Sequence, residues 1–374
     1  MEWDVIVVGA GPGGSAAAYF LARAGAKVLL VERREYPIDK VCGEFWSHEG
    51  VAVLRRMGLG EALAEFPSLT RVQISDVSGR LWNSPLPLAG MGGSRFRLDS
   101  LLVERCREVG VETRLGTQVR SVEGNAATGF VVVVGRGAQE ERWKSRLVVA
   151  ACGKNGHLPG GGRGKSERGP GYVGIKVHAE GTTGDAVELH SFLGGYLGLG
   201  AVEGGRTNLC LLVQGDVFKQ CGGKIENLMS EVVGSNKLLH NKLIDLSVDW
   251  SQAIYAANLH FGIRAWSRSG VVQVGDAAAA VAPLCGDGMS MALEGGARLG
   301  ALGTAFLEGD LSLPQLEERY ASACRRAFGT RLRWGELLQR ILLRPGWAAA
   351  VLALLGVTPS LGRLFIRKTR GTHG

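Results

Sequence analysis

The sequence predicts a mixed α/β fold, in which a domain built from parallel βαβ units is interleaved with an antiparallel sheet domain and followed by a C-terminal helical segment. Three observations predict it. The chain opens on a complete βαβ unit within Met1 to Arg34, short period-two strands recur between residues 171 and 213, and the last stretch, from residue 311 on, is helical.

Each element follows from its local pattern. Asp4–Val8 (DVIVV) is an apolar, β-branched run of the kind buried on both faces. Gly9-Ala10-Gly11-Pro12-Gly13-Gly14 follows with no spacer, then an Ala-rich helix over Ser15–Ala24 that Gly25 stops. Lys27–Val31 is a second buried strand, ending at Glu32. A helix is predicted from Gly50 to Met57, closed at Gly58. Arg71–Ser75 alternates, Ser78-Gly79 signals a turn and Arg80–Trp82 resumes, so 70–87 reads as an antiparallel hairpin with one wetted face. Asp99 reads as the N-cap of a helix over Ser100–Val109. Strands are predicted at Val111–Leu115, Val119–Val122, Phe130–Val134 and Ser145–Ala151.

Cys152–Pro170 is a basic, Gly-rich loop, expected at a domain boundary. Four short strands (Tyr172–His178, Ala186–Phe192, Tyr196–Val202, Asn208–Val213) then predict an antiparallel sheet, and Ile225–Val233 an amphipathic helix. Gly270–Val274 returns as a buried strand ending in Gly275-Asp276, before a small-residue helix over Ser290–Leu302. Helices at 313–331, 335–344 and 347–355 close the chain, with Pro345 and Pro359 as breakers. The expected boundaries are 1–69, 95–160 and 264–310 for the first domain, 70–94 and 161–263 for the second, and 311–374 for the helices.

The N-terminal unit points to a dinucleotide. Gly9 permits a tight turn, Gly11 lets backbone approach a pyrophosphate, and Gly14 lets the helix sit close on the sheet. The helix N-terminus offers unpaired N–H groups and a positive dipole end to phosphates, and Glu32 is positioned for ribose hydroxyls, with Arg33 beside it. A second motif lies near residue 286. Asp276, at a strand end, can accept from hydroxyls, and the turn through Gly286, Gly288 and Met289 aims N–H groups at developing negative charge. Cys42, Glu44 and His48 follow the second strand at the carboxyl edge of the sheet, where they are candidate proton donors. Arg97, just before a helix, is a candidate for the pyrophosphate.

Composition narrows the class. At 374 residues, with 45% hydrophobic and 21% charged, the chain is an ordinary globular protein of about two domains. The net charge of +8 is spread along the chain without a nucleic-acid motif, so no nucleic-acid partner is expected. Seven scattered cysteines without a CxxC pair argue against a disulfide framework and against a zinc site, and for a reducing cytoplasm. The first strand starts at the N-terminus, leaving no room for a signal peptide. Trp347–Leu355 is apolar all round but shorter than a membrane span. It reads either as a helix capping the substrate cavity, the preferred reading, or as a peripheral anchor on anionic lipid through the flanking arginines.

The βαβ motif with Glu32, the Arg-x-x-Asp-like element at Arg97, and GDAAAAVAPLCGDGMSMA from residue 275 together resemble the FAD-dependent superfamily of para-hydroxybenzoate hydroxylase. DKVCGE at 39–44 and GGYLGLGAVEGGRTNLCLLV at 194–213 look closest to its geranylgeranyl-reductase-like branch. The resemblance implies a Rossmann-type FAD-binding domain interleaved with a substrate sheet, the flavin ring between them. Gly9, Gly11, Gly14, Glu32, Arg97 and Asp276 would bind FAD, with Gly286 to Met289 against the ring and Cys42 facing it. Departures are Cys152-Gly153 where the hydroxylases carry Asp-Gly, and Cys42-Gly43-Glu44 where the reductases read closer to Cys-Gly-Gly. The tryptophan-rich motif of the halogenases is not evident. The expected function is a FAD-dependent oxidoreductase, reduced by NAD(P)H, that saturates a carbon–carbon double bond of a small apolar isoprenoid- or polyketide-like molecule. The alternatives are an NAD(P)H-dependent flavin monooxygenase and a flavin-binding protein without turnover.

Overall fold

The computed structural model describes residues 2–125, 127–136, 139–154, 158 and 171–371. It is a mixed α/β fold with two large sheets. The first contains β1 (Glu2–Val8), β2 (Val28–Val31), β6 (Glu112–Arg114), β9 (Gln139–Ala150), β17 (Ser267–Arg268) and β18 (Val271–Gln273), in the order β17-β18-β9-β1-β2-β6. β7 (Gln118–Asn125) and β8 (Gly129–Arg136) extend it as a hairpin on β9. β1 pairs in parallel with both β2 and β9, and β9 with β18, which buries the runs Val5–Val8, Val28–Val31 and Leu147–Ala150 and explains their apolar sequence.

The second sheet has the order β14-β10-β13-β12-β11-β4-β5-β3, with β15 on β10. Its strands are β3 (Phe45–Trp46), β4 (Ser68–Ser75), β5 (Leu81–Gly92), β10 (Tyr172–Glu180), β11 (Ala186–Phe192), β12 (Gly195–Val202), β13 (Arg206–Gln214), β14 (Ser247–Val248) and β15 (Ile254–Leu259). The expectation of an antiparallel sheet holds except at one join, where β11 runs parallel to β4. That join splices the early hairpin onto the later meander. A short pair, β16 (Gly262–Ile263) with β19 (Ala279–Ala280), completes the strands among the described residues.

The helices are α1 (Pro12–Arg23), α2 (His48–Arg56), α3 (Arg95–Glu108), α4 (Gly215–Gln220), α5 (Ile225–Ser235), α6 (Lys237–Ile244), α7 (Gly288–Leu307), α8 (Leu313–Leu342), α9 (Pro345–Val357) and α10 (Pro359–Lys368). The glycines of α7 have a packing cause. A Cβ at Gly296 would overlap Gly13 O of α1, so two helix backbones touch beneath the first sheet.

Two expectations of local structure are corrected. Ser94, not Asp99, caps α3: its hydroxyl accepts from Arg97 N at 3.1 Å, and the helix begins at Arg95. Asp99 stands inside the helix, buried and ion-paired, because two cations reach it there. The helices expected at 313–331 and 335–344 are one, since Gly335 sits within α8 facing Cys285 and needs no break. Of the loop expected at 152–170, residues 155–157 and 159–170 lie outside the described residues.

Candidate active site

One cavity of about 900 Å³ runs between the sheets, from Gly11 and Glu32 at one end to Leu212 and Leu259 at the other. Its size is that of a cofactor-plus-substrate site. The first end is made of backbone. Gly9 has φ +107°, and a Cβ there or at Gly14 would overlap a carbonyl oxygen, of Ala151 and of Gly9 respectively. Gly11 caps α1 without any side-chain hydrogen bond, so the N–H groups of the first turn remain available. Glu32 accepts from Ala10 N at 3.0 Å and from Arg34 N at 3.1 Å, which fixes its carboxylate beside this turn. Arg33 also lines the cavity.

The arginine at this end is Arg95. Its Nη2 lies 3.4 Å from where a Gly11 Cβ would stand, and its guanidinium grips Asp99 through two bonds of 2.8 and 2.7 Å. Lys40 Nζ reaches the same carboxylate at 2.8 Å. Burial alone would raise the Asp99 pKa, but Arg95 and Lys40 outweigh it and hold the carboxyl below its usual range. Arg97, predicted for this role, does not line the cavity; it points outward to Glu65 at 2.9 Å. The cause is the earlier helix start, which puts position 95 in the first turn facing Gly11 and turns position 97 away.

The middle of the cavity gathers Cys42, Glu44 and Asp39 from the loop before β3. Glu44 takes a left-handed backbone (φ 52°), a conformation that costs a non-glycine residue energy and persists where surrounding contacts enforce it. Its wholly buried carboxylate accepts from Lys176 Nζ at 2.7 Å and from Arg95 N at 2.7 Å, and pairs with His178 Nε2 at 2.6 Å. Lys176 also binds Asp39 at 2.6 Å. Burial works against the Lys176 ammonium, yet Glu44 and Asp39 overcome it and raise its pKa. Asp39, Glu44 and His178 offer ligand-type atoms to a metal, but the Lys176 ammonium already supplies the positive charge between the two carboxylates. Cys42 is half-buried in the wall, its carbonyl held by Asn208 Nδ2 at 3.0 Å. His48 opens α2 and does not line the cavity, so the structure separates it from Cys42 and Glu44.

A family model described as FAD binding domain matches residues 2–332. The chain belongs to that family. It is 29% identical over 309 residues to a menaquinone reductase of Mycobacterium tuberculosis, covering 78% of this chain and 74% of that one. It is 27% identical over 346 residues to a digeranylgeranylglycerophospholipid reductase of Methanopyrus kandleri, covering 89% and 85%. In structure it is similar to a flavin-dependent brominase (TM-score 0.84, 18% identity, 99% and 93% covered), a likeness of fold alone. This flavoprotein is a FAD-dependent oxidoreductase of the superfamily that includes the geranylgeranyl reductases.

The cavity's residues suit FAD on structural grounds. An uncapped helix N-terminus, glycines that a Cβ would block, and a fixed Glu32 could hold the dinucleotide, with Arg95 over the turn. At the other motif, Asp276 lines the cavity with Lys154 Nζ 3.9 Å away, and Gly286, Gly288 and Met289 line it too. Gly286 has φ +59°, and a Cβ there would press on Phe45 at 2.7 Å. Behind this turn the N-cap of α7, Asp287, is wholly buried. It accepts from Ser47 Oγ at 2.9 Å and from Arg331 Nη1 at 3.0 Å, while Arg370 donates to Cys285 O at 2.7 Å. Burial pushes the Asp287 carboxyl up to about 6, against the pull of Arg331 and Arg370.

The far end of the cavity carries an apolar wall. Leu189, Tyr196, Leu212 and Leu259 form one buried cluster and all line the cavity. Lys176, Cys210, Gly198 and Leu189 share one rung across β10, β13, β12 and β11, so the ionic and apolar walls meet on a single sheet face. The Tyr196 hydroxyl is buried in this wall with no hydrogen-bond partner among the described residues. Sequence reasoning missed Arg95, Lys176, His178, Tyr196 and Arg331, and it placed Asp287 in the turn at the ring without its buried ion pair. Only Lys176 and His178 carried a signal: polar residues at alternate positions after Gly174, where an apolar face was due.

Proposed function

We propose that this flavoprotein saturates a carbon–carbon double bond of an apolar, isoprenoid-like molecule, using NAD(P)H as reductant. One observation supports the reading above others: the glycine-built cradle opens directly into a pocket end walled by Leu189, Tyr196, Leu212 and Leu259. FAD, when bound, supplies the hydride chemistry. The chain's own residues orient, exclude water and deliver a proton. Gly9, Gly11, Gly14, Glu32, Arg33 and Arg95 hold the dinucleotide, and Asp276 with the turn at Gly286, Gly288 and Met289 holds the ring end. Glu44 has both oxygens engaged by Lys176, His178 and Arg95 N, and so fixes the shape of the cavity. Cys42, half-buried in the cavity wall, gives the proton to carbon.

The relatives' names accord with this reading, since a menaquinone reductase and a digeranylgeranylglycerophospholipid reductase are both named for apolar, isoprenoid-bearing molecules. The test is anaerobic turnover: purified holoprotein, NADPH or NADH, and a short-chain isoprenoid, with the saturated product followed by mass spectrometry. Product without oxygen is expected, and Cys42→Ala should lose it while keeping bound flavin. Product that requires oxygen would replace the reductase reading with a monooxygenase, and flavin that no nicotinamide reduces would leave a binding protein.

A further inference from the structure

The C-terminal helices carry a surface that the reaction does not use. α9 (PGWAAAVLALLGV) contains no charged residue, and only one side of it is buried: Ala348, Leu352 and Leu355 face the protein. The opposite side exposes Trp347 (61%), Leu354 (48%) and Val357 (79%), with Ala350 and Ala353 between them. A continuous apolar helix face with a tryptophan at one end is not the exterior of an ordinary monomer. Next to it, α10 exposes Leu364 (41%) among Arg363, Arg367 and Lys368, and Arg344 is exposed at the start of α9. From Arg344 to Gly371 there is no Asp or Glu.

We infer that this face of α9 and α10 docks on an anionic lipid bilayer, lying in the interface with Trp347, Leu354 and Val357 among the acyl chains. The charge selects the occupant: cations and an exposed apolar stripe, with no acidic residue, complement anionic headgroups over hydrocarbon. Among the described residues no single helix is long and apolar enough to cross a membrane, and α8 and α9 meet at a bend of 113°.

The surface is coupled to the cavity. Leu343, at the α8–α9 turn, belongs to the buried cluster of Leu189, Tyr196, Leu212 and Leu259, and its carbonyl accepts from Gly194 N at 3.3 Å. Leu352 and Leu355 share a cluster with Val187, which also lines the cavity. A bilayer held on the outer side of α9 is thus one helix away from the apolar end. Delivery of substrate by this route rests on the reading of the substrate given above; docking itself does not.

The experiment is flotation of the full-length holoprotein with vesicles of phosphatidylcholine alone or of equal parts phosphatidylcholine and phosphatidylglycerol. Binding to the anionic vesicles only, released by high salt, is expected. The double variant R363E/R367E should lower partitioning by at least about 25-fold, about fivefold for each cation lost. Leu354→Asp should also detach the protein while keeping its flavin and its reduction of a short, water-soluble isoprenoid. No binding to either vesicle, equal binding to both, or a stable dimer that buries Trp347 would overturn the proposal. Docking without reduction would sink the reaction instead, and reduction without docking would sink only this inference.

Discussion

The two ends of the cavity are built by opposite means. The dinucleotide end is backbone: glycines that a Cβ would block, an open helix N-terminus, and one carboxylate held by two N–H groups within 34 residues of the start. The far end is side chain. Glu44 comes from a loop, Lys176 and His178 from one distant strand, β10, and Asp287 is clamped by Arg331 of α8 beside Arg370 after α10. At Gly9 and Gly14 the backbone cradle tolerates no added atom, whereas a buried ionic network tolerates added volume better than the loss of one member.

The largest effect should come from the backbone end. A valine at Gly14 would drive Cβ into Gly9 O and to 3.0 Å from the Ala151 Cβ, and no flexible side chain is there to yield. The cost should exceed the roughly 1–3 kcal/mol of ordinary overpacking, and the expected outcome is no folded flavoprotein. Gly11→Val separates folding from binding. Its backbone (φ −74°, ψ −178°) is open to any residue, and beyond its own chain neighbours a Cβ there meets only Arg95 within 4 Å among the described residues, so the apoprotein should melt as wild type while flavin titration shows no uptake. An unfolded Gly11→Val protein, or one with full flavin affinity, would break the contrast.

At the side-chain end, Glu44→Ala strands Lys176 with a half-exposed Asp39, and breaking a buried pair this way costs about 3–5 kcal/mol. Adding Lys176→Met should recover much of that loss in urea unfolding, since the stranded charge is the main cost. An additive double mutant would show that the two side chains act independently.

The same division explains what was legible in the sequence. The cradle is local: strand, glycines, helix and terminal acid follow one another, so spacing alone carries the geometry of Gly9, Gly14 and Glu32. The helix cap decided the arginine. Asp99 is a good N-cap by residue type, and Ser94 is too; tertiary pairing of Asp99 with Lys40 and Arg95 settled the choice and shifted the useful arginine by two residues. The alternation after Gly174 could mark Lys176 and His178 as polar on an apolar face, but not their partner, because β10 brings Lys176 to Glu44 across 132 positions, a distance at which no periodicity speaks. Arg370 looked like flanking charge near a greasy helix, yet it turns inward to Cys285, as Arg331 of α8 does to Asp287.

Titration should also run in opposite directions at the two ends. Asp99, held below its ordinary value of 3.8, contributes stability that is present above that pH and lost as pH falls through its depressed pKa. Asp287, raised to about 6, holds its proton more tightly in the folded state than in the unfolded one. Its contribution is full below pH 3.8 and is lost as pH rises to about 6. The loss amounts to about 3 kcal/mol, at about 1.4 kcal/mol for each tenfold change in proton affinity. Urea unfolding of wild type and Asp287→Asn from pH 4 to pH 7.5 isolates the group: the variant should gain on wild type across that window and then run parallel to it. A flat difference curve would mean that Arg331 and Arg370 keep the carboxylate charged throughout.

The smallest effect tests the arginine. Arg97 and Glu65 are 41% and 37% exposed, and a pair so open to solvent contributes at most about 1 kcal/mol. Arg97→Ala should therefore leave flavin affinity unchanged and the unfolding midpoint within that margin. Arg95→Ala should do neither, because it removes the guanidinium beside Gly11 and leaves Asp99, whose side chain is 1% exposed, with Lys40 alone. Flavin titrations of the two variants side by side decide between the residue that sequence spacing favoured and the one that the earlier start of α3 brings to the cradle. Equal losses from both would mean that α3 begins later in solution than its cap at Ser94 dictates.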